Sequence, residues 1–112
     1  MQYLRGEYYA ASETYRNLYR NIKPKDRALR GVVAYEMAEA YRHLNFPSRA
    51  SAAYSNAIRH NYPDTLMFLR YAQMLHKEGK YQHAKSAYED FIILDSANHF
   101  AINGLKGVNH VI

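Results

Sequence analysis

The sequence contains two consecutive 34-residue segments that match each other: residues 31–64 read GVVAYEMAEAYRHLNFPSRASAAYSNAIRHNYPD, and residues 65–98 read TLMFLRYAQMLHKEGKYQHAKSAYEDFIILDSAN. The same small or aromatic residue recurs at three paired positions: Ala38 with Ala72, Ala50 with Ala84, and Tyr54 with Tyr88. Self-similarity at a fixed period of about 20–50 residues is typical of proteins built from stacked units. The period therefore predicts a repeat architecture.

A third, partial copy lies upstream of these two. Its matching residues are Gly6, Tyr8, Ala11 and Tyr15, which align with Gly79, Tyr81, Ala84 and Tyr88. This offset exceeds two periods by five residues, so we expect extra residues at about 26–30 to lengthen the junction between the first two copies. The partial copy is predicted to contain mainly its second helix, about residues 7–21, and only a stub of its first helix at 2–5.

Each complete copy is predicted to fold as two helices. Apolar residues recur at three- and four-residue spacing in two runs, separated by a turn. In residues 65–98, Gly79 is expected to end the first helix in a left-handed conformation, and Tyr81 begins the second. Alanines at the helix crossings allow close approach, and tyrosines such as Tyr54 and Tyr88 fill the volume opposite.

This pattern resembles the tetratricopeptide repeat (TPR), a 34-residue helix pair. Counted from Thr65 as position one, the residues that carry the resemblance in the last copy are Phe68, Tyr71, Ala72, Leu75, Tyr81, Ala84 and Tyr88. The middle copy matches through Ala34, Met37, Ala38, Tyr41, Pro47, Ala50, Tyr54 and Ala57. Phe91 and Ser96 depart from the alanine and proline of the family. The resemblance implies an all-α, TPR-type antiparallel helix-pair solenoid of about 2.5 to 3 repeats plus a C-terminal helix.

The repeats divide the chain into four predicted segments: a partial first TPR at 1–25, a second TPR with an extended first helix at 26–64, a third TPR at 65–98, and a C-terminal capping helix and tail at 99–112. Gly104 and Gly107 are expected to weaken that last helix. Because the first copy is incomplete, we expect the chain to be part of a longer protein.

The composition argues against catalytic and metal-dependent functions. The chain has no cysteine, which excludes disulfides, zinc ribbons and thiol nucleophiles. The six histidines are scattered, and no phosphate-binding or nucleophile motif is present. Glu36 and Glu39 lie three residues apart, a spacing that could serve acid–base chemistry but is more typical of an acidic patch beside Arg42. We predict a protein that is not an enzyme and has no cofactor and no metal.

The TPR resemblance implies that the first helix of each repeat lines a concave surface that binds a protein or peptide. The candidate partner-binding residues are Tyr35, Glu36, Glu39, Arg42, His43, Leu69, Arg70, Gln73, His76 and Lys77. The Lys and Asn of the chaperone-type carboxylate clamp are replaced by Tyr35 and Glu39, and then by Leu69 and Gln73, so a different partner is predicted. The alternative is that some of these residues pack against a neighbouring helix or another domain of the parent chain.

The net charge of +5 arises from residues 1–30, which carry +4 through a cluster of cations near the first junction, and from Lys106, whereas the two complete copies are each neutral. This basic patch comprises Arg16, Arg20, Lys23, Lys25, Arg27 and Arg30. It indicates either a solvated helix end or, as the alternative function, binding to an anionic polymer or membrane surface. We expect no nucleic-acid partner, membrane association only through the parent protein, and possible homo-oligomers formed by stacking of solenoid ends.

A second resemblance concerns the last third of the chain. The segments 71–81 and 91–107 are similar to the TPR segment of bacterial OmpA-like outer-membrane lipoproteins, including one associated with type IX secretion. That resemblance implies a periplasmic or outer-membrane-associated scaffold in which peptidoglycan binding lies outside these residues. A cytoplasmic location is the alternative.

Overall fold

Six α-helices account for most of the chain in a computed structural model that describes the backbone of residues 2–112 and the side chains of residues 5–112. The helices are α1 (Gln2–Asn21), α2 (Arg27–His43), α3 (Pro47–Arg59), α4 (Leu66–Lys77), α5 (Tyr81–Leu94) and α6 (His99–Val111). Met1, with which the predicted first repeat begins, lies outside the described residues. No strand occurs within residues 2–112, and the predicted all-α class is confirmed.

The helices form two compact units, which divide between Pro63 and Asp64. In the first unit α2 packs against both α1 and α3, and in the second unit α5 packs against both α4 and α6. Short connections join α2 to α3 and α4 to α5, so each of these packed pairs is antiparallel. Each complete 34-residue copy thus forms one helix pair.

Helices α2, α3 and α4 end in the same backbone motif. A residue with positive φ follows each helix: Asn45 at 59°, Asn61 at 60° and Gly79 at 84°. The next amide then bonds a carbonyl five residues back, as in Phe46 N to Tyr41 O at 2.9 Å and Lys80 N to Leu75 O at 3.0 Å. This Schellman arrangement satisfies carbonyls that the helix leaves open. The left-handed conformation predicted at Gly79 is confirmed, and Asn45 adopts it at the equivalent repeat position.

The N-terminal segment differs from the sequence expectation. Residues 2–5 belong to α1, which runs unbroken to Asn21, and they form no separate stub of an earlier helix. Gly6 lies inside this helix, since a lone glycine costs only about 1 kcal/mol there relative to alanine. The predicted extra residues near 26–30 lie mostly in α2, which begins at Arg27 and is 17 residues long, against 12 for α4.

Each unit contains a buried tyrosine, and small aliphatic residues are buried in the same unit. Tyr54 is fully buried in the first unit, together with Ala38 and Ala50. Tyr88 is 2% exposed in the second unit, in a core with members from α4, α5 and α6 that also includes Leu69, Ala72, Leu75, Ala84, Ala87, Phe91, Ala101 and Val108. The predicted packing of large aromatic against small aliphatic residues is confirmed. In the first unit, one face of α2 also packs against α1.

Candidate functional site

A groove of about 350 Å³ lies between α1 and α2 in the first unit. Helix α1 supplies one wall and α2 supplies the other; the lining residues are Tyr8, Ala11, Tyr15, Tyr35, Glu36, Glu39, Ala40 and His43. The two alanines keep the groove open between larger side chains. Four of the ten predicted partner-binding residues are therefore brought together here, and Arg42 adjoins them through Glu39.

Glu39 is held by two neighbours at this groove. The hydroxyl of Tyr54 donates a hydrogen bond of 2.5 Å to Glu39 Oε1, and Arg42 Nη2 lies 2.9 Å from Glu39 Oε2. Burial and the Glu39 carboxylate both raise the pKa of Tyr54. Burial acts to lower the pKa of Arg42, but the hydrogen bond and charge of Glu39 outweigh it and the pKa is raised. The carboxylate charge of Glu39 is therefore largely balanced within the protein.

Glu36 differs from Glu39 in having no such partner. Its side chain is half-buried at the groove, and none of residues 5–112 forms a hydrogen bond or ion pair with its carboxylate. The groove lining includes no lysine or arginine. Glu36 is thus the carboxylate whose charge the groove leaves uncompensated.

Stacked rings hold part of each wall of the groove. Tyr8 on α1 stacks on His43 of α2, with ring centroids 4.4 Å apart and an interplanar angle of 8°. Tyr35 stacks on Tyr62 at 4.4 Å and meets the edge of the Tyr54 ring at 6.5 Å. Offset and edge-to-face pairs of this kind add stability beyond the area they bury. The groove therefore exists as a formed surface in the free protein.

Four groove residues are absent from the sequence prediction: Tyr8, Ala11 and Tyr15 on α1, and Ala40 on α2. Helix α1 was interpreted as the second helix of a partial repeat, and only first helices were expected to line the binding surface. The signal was present, because positions 8, 11 and 15 follow the three- and four-residue spacing of one helix face.

The fold is similar to that of a known protein, although the sequence matches no family. No protein-family model matches the chain, and no curated protein matches it. A solved structure, the first TPR of Spaghetti (RPAP3) bound to the HSP90 peptide SRMEEVD, is similar with a TM-score of 0.75 and 23% sequence identity, over 97% of this chain and 82% of that one. The chain has a TPR-type fold. The comparisons lend no support to the resemblance to OmpA-like lipoproteins or to an envelope location.

In the second TPR-type helix pair, the predicted partner-binding residues have mixed environments. Leu69 is 3% exposed and packs in the core, so the prediction that it lines a binding surface is wrong. It faces inward because it belongs to the apolar stripe that also contains Ala72 and Leu75. His76 Nδ1 lies 3.1 Å from the hydroxyl of Tyr88, whose pKa burial raises to about 12. The other three are Arg70 and Gln73, which are half-buried, and Lys77, which is exposed.

The basic patch is only partly available for an external anion. Arg16 lies 3.6 Å from Glu13, Arg27 donates to the carbonyl of Arg59 at 2.8 Å, and Arg30 lies over the ring of Tyr19 at 4.6 Å. The remaining members are exposed: Arg20, Lys23 and Lys25. Half of the predicted patch is thus engaged in contacts within the TPR-type fold.

His60 lies among the cations of this patch. Its Nε2 is 3.0 Å from the Tyr19 hydroxyl, while its Nδ1 is buried with no hydrogen-bond partner among the described residues. Burial lowers the pKa of His60, and the charges of Arg30, Arg59 and Arg27 lower it further. In the protonated ring both nitrogens carry hydrogen, so Nδ1 is then a buried donor without an acceptor, and the ring charge lies near three like charges.

We expect His60 to make the fold less stable at mildly acidic pH. Since its pKa is lower in the folded than in the unfolded chain, the unfolded chain binds the proton more readily, and stability falls as the pH drops below about 6.5. Thermal unfolding at pH 7.5 and 5.5 measures this loss. His60→Asn should reduce the difference between the two midpoints, whereas His110→Asn, at an exposed position, should not. An equal reduction in both variants would contradict the assignment to His60.

The described part of the chain offers neither a metal-binding cluster nor a membrane span. Residues 5–112 contain no group of three or more histidine and carboxylate side chains placed to hold a metal ion. None of the helices described is long and apolar enough to cross a membrane.

Proposed function

We propose that this protein is a non-catalytic interaction scaffold that holds a segment of a partner protein in the groove between α1 and α2. The observation that carries the proposal is the groove itself, a preformed cleft lined by tyrosines with one uncompensated carboxylate. Aromatic side chains that expose part of their rings supply contact area at low entropic cost, and they are enriched where proteins bind each other. Repeat folds of this kind typically use extended concave surfaces for recognition.

The similar solved structure supports a peptide as the ligand class, since that TPR is bound to the HSP90 peptide SRMEEVD. The present chain differs at the residues that the carboxylate clamp requires, where it has Tyr35 and Glu39. Glu36 and Glu39 would repel the glutamates of such a peptide. We therefore propose the same kind of binding, an extended segment in a helical groove, with a partner of different charge.

Selection from a displayed library of random peptides tests this function. Peptides that bind the immobilised full chain should lose about tenfold or more in affinity when Tyr15 is replaced with alanine, because its half-buried ring forms part of one wall. Tyr15 is preferred to Tyr35 for this test, since Tyr35 stacks on Tyr62 and its removal would disturb the fold. Tyr9→Ala is the matched control, because Tyr9 is on the same helix, 51% exposed and outside the groove.

Two results would contradict the proposal. One is equal loss of affinity in the Tyr9 and Tyr15 variants, or no loss in either. The other is a selected set of acidic peptides whose binding disappears when Arg20, Lys23 and Lys25 are replaced with glutamate. That second result would place recognition at the basic patch, and such binding should weaken steeply with added salt.

A further inference from the structure

We propose that the groove between α1 and α2 receives an arginine side chain of the partner segment, with its guanidinium at Glu36 and against the tyrosine rings. This inference rests on the proposed function and specifies the chemistry of its partner.

The charge of the groove favours a cation. The lining contains two carboxylates, Glu36 and Glu39, and no lysine or arginine. Arg42 offsets Glu39 at 2.9 Å, and the Tyr54 hydroxyl binds its other oxygen. Glu36 has no partner among the described residues, although it is half-buried. A cationic side chain would complete this pair on binding.

The tyrosines favour arginine over lysine. A guanidinium is planar, so it can stack on an aromatic face while two of its N–H groups bind one carboxylate. Tyr8 and Tyr15 line the α1 side of the groove, and Glu36 lies on the α2 side. The same unit already contains such stacking, since the Arg30 guanidinium carbon lies 4.6 Å from the centre of the Tyr19 ring. A lysine ammonium would pair with Glu36 but would offer no flat face to the rings.

Other occupants fit the groove less well. An acidic segment would bring like charge to Glu36, and an apolar segment would cover its carboxylate without providing a donor. Covering an unpaired charged group loses its hydration with no compensating bond. An arginine avoids both penalties, so it is the occupant that this lining selects.

Nuclear magnetic resonance titration with a defined probe tests the inference. The full chain, labelled with ¹⁵N, is titrated with the capped tripeptide acetyl-Ala-Arg-Ala-amide to about 20 mM, enough to detect millimolar binding. We expect shifts confined to amides of α1 and α2 around the groove. The citrulline tripeptide, which has nearly the same shape and no charge, should bind at least about tenfold more weakly.

Variants identify the groups responsible. Glu36→Gln keeps the side-chain shape and should weaken arginine binding by about tenfold or more, while Glu89→Gln, at an exposed position on α5, should leave it unchanged. Tyr15→Leu retains an apolar side chain without a π face and should also weaken it. Preserved dispersion of the amide spectrum checks that each variant is folded.

The inference is overturned if the arginine and citrulline tripeptides bind equally, or if no groove amide shifts. It is also overturned if the Glu36→Gln variant binds the arginine tripeptide as tightly as the unsubstituted chain does. Its failure is separable from failure of the proposed function. Selected peptides that lack arginine but still depend on Tyr15 would remove the arginine assignment and leave the scaffold function standing. Peptide binding that ignores Tyr15 would remove the scaffold function at this groove, whatever the tripeptides show.

Discussion

Replacing Tyr54 with alanine is expected to lower the free energy of unfolding by about 3–5 kcal/mol, the cost of emptying a large aromatic site in a packed core. Tyr54 is fully buried, and its hydroxyl holds Glu39 at 2.5 Å. The loss combines the cavity with a hydrogen-bond donor removed from the half-buried carboxylate of Glu39. Because domains of this size have about 5–15 kcal/mol in total, this loss would remove a large share of the stability.

Urea unfolding followed by circular dichroism measures this loss, and two companion variants separate its causes. Tyr54→Phe keeps the ring and should cost about 1.5–3 kcal/mol, the range for a hydrogen bond to a charged group. Tyr9→Ala, the same substitution as Tyr54→Ala at an exposed position, should change stability by no more than about 0.5 kcal/mol. A Tyr54→Ala protein as stable as Tyr9→Ala would show that Tyr54 does not fill the core of the first unit.

The second large effect is expected at Gly104, where α6 crosses the ring of Tyr88. A Cβ placed at Gly104 would overlap Tyr88, with its hydroxyl oxygen only 2.6 Å away. That ring is 2% exposed and its hydroxyl contacts His76, so it has little room to move. Overpacking of a core typically costs about 1–3 kcal/mol, against which alanine regains up to about 1 kcal/mol of helix propensity. Because the overlap is severe and the ring cannot move away, we expect the upper part of this range, a net destabilisation of about 2 kcal/mol.

Gly107→Ala is the matched control on the same helix. Its new Cβ would lie 3.4 Å from the nearest atom, Cε1 of His76, so helix propensity should dominate and stability should stay the same or rise by up to about 1 kcal/mol. Denaturant midpoints compare the two variants directly. If Gly104→Ala were as stable as Gly107→Ala, the close packing of α6 on Tyr88 would be refuted.

Much of the fold was predictable because its determinants are local and recur. Helix ends, alanine crossings and the tyrosine positions repeat at 34 residues, and each requires only nearby sequence to be recognised. The equivalence even extends to the partners of the two core tyrosines. The Tyr54 hydroxyl binds Glu39, which Arg42 also contacts. The Tyr88 hydroxyl contacts His76, which occupies the repeat position of Arg42. What differs is the chemistry, since the carboxylate of Glu39 is replaced by the amide of Gln73.

The candidate site was predictable only in part, because a groove has two walls. The residues of the α2 wall could be predicted, because Tyr35, Glu36 and Glu39 occupy positions in the first helix of a complete repeat. The α1 wall does not, because the partial first copy contains no complete repeat from which to infer which face of α1 lies open. Leu69 shows the converse error, since helical periodicity alone does not tell an apolar residue at the edge of the core from one on a binding surface.

The sequence by itself determined the class of fold, the helix pairs and the large and small positions of the core, because burying a repeated amphipathic pattern leaves few arrangements. Only the tertiary structure decided that Glu36 stays unpaired while Glu39 is bound, and that Tyr8 and Tyr15 face them. It also showed a packing role for Gly104, which the sequence alone predicts only to weaken a helix. Close approach to Tyr88 requires that glycine, because contacts between helices depend on distances in space that no local pattern encodes.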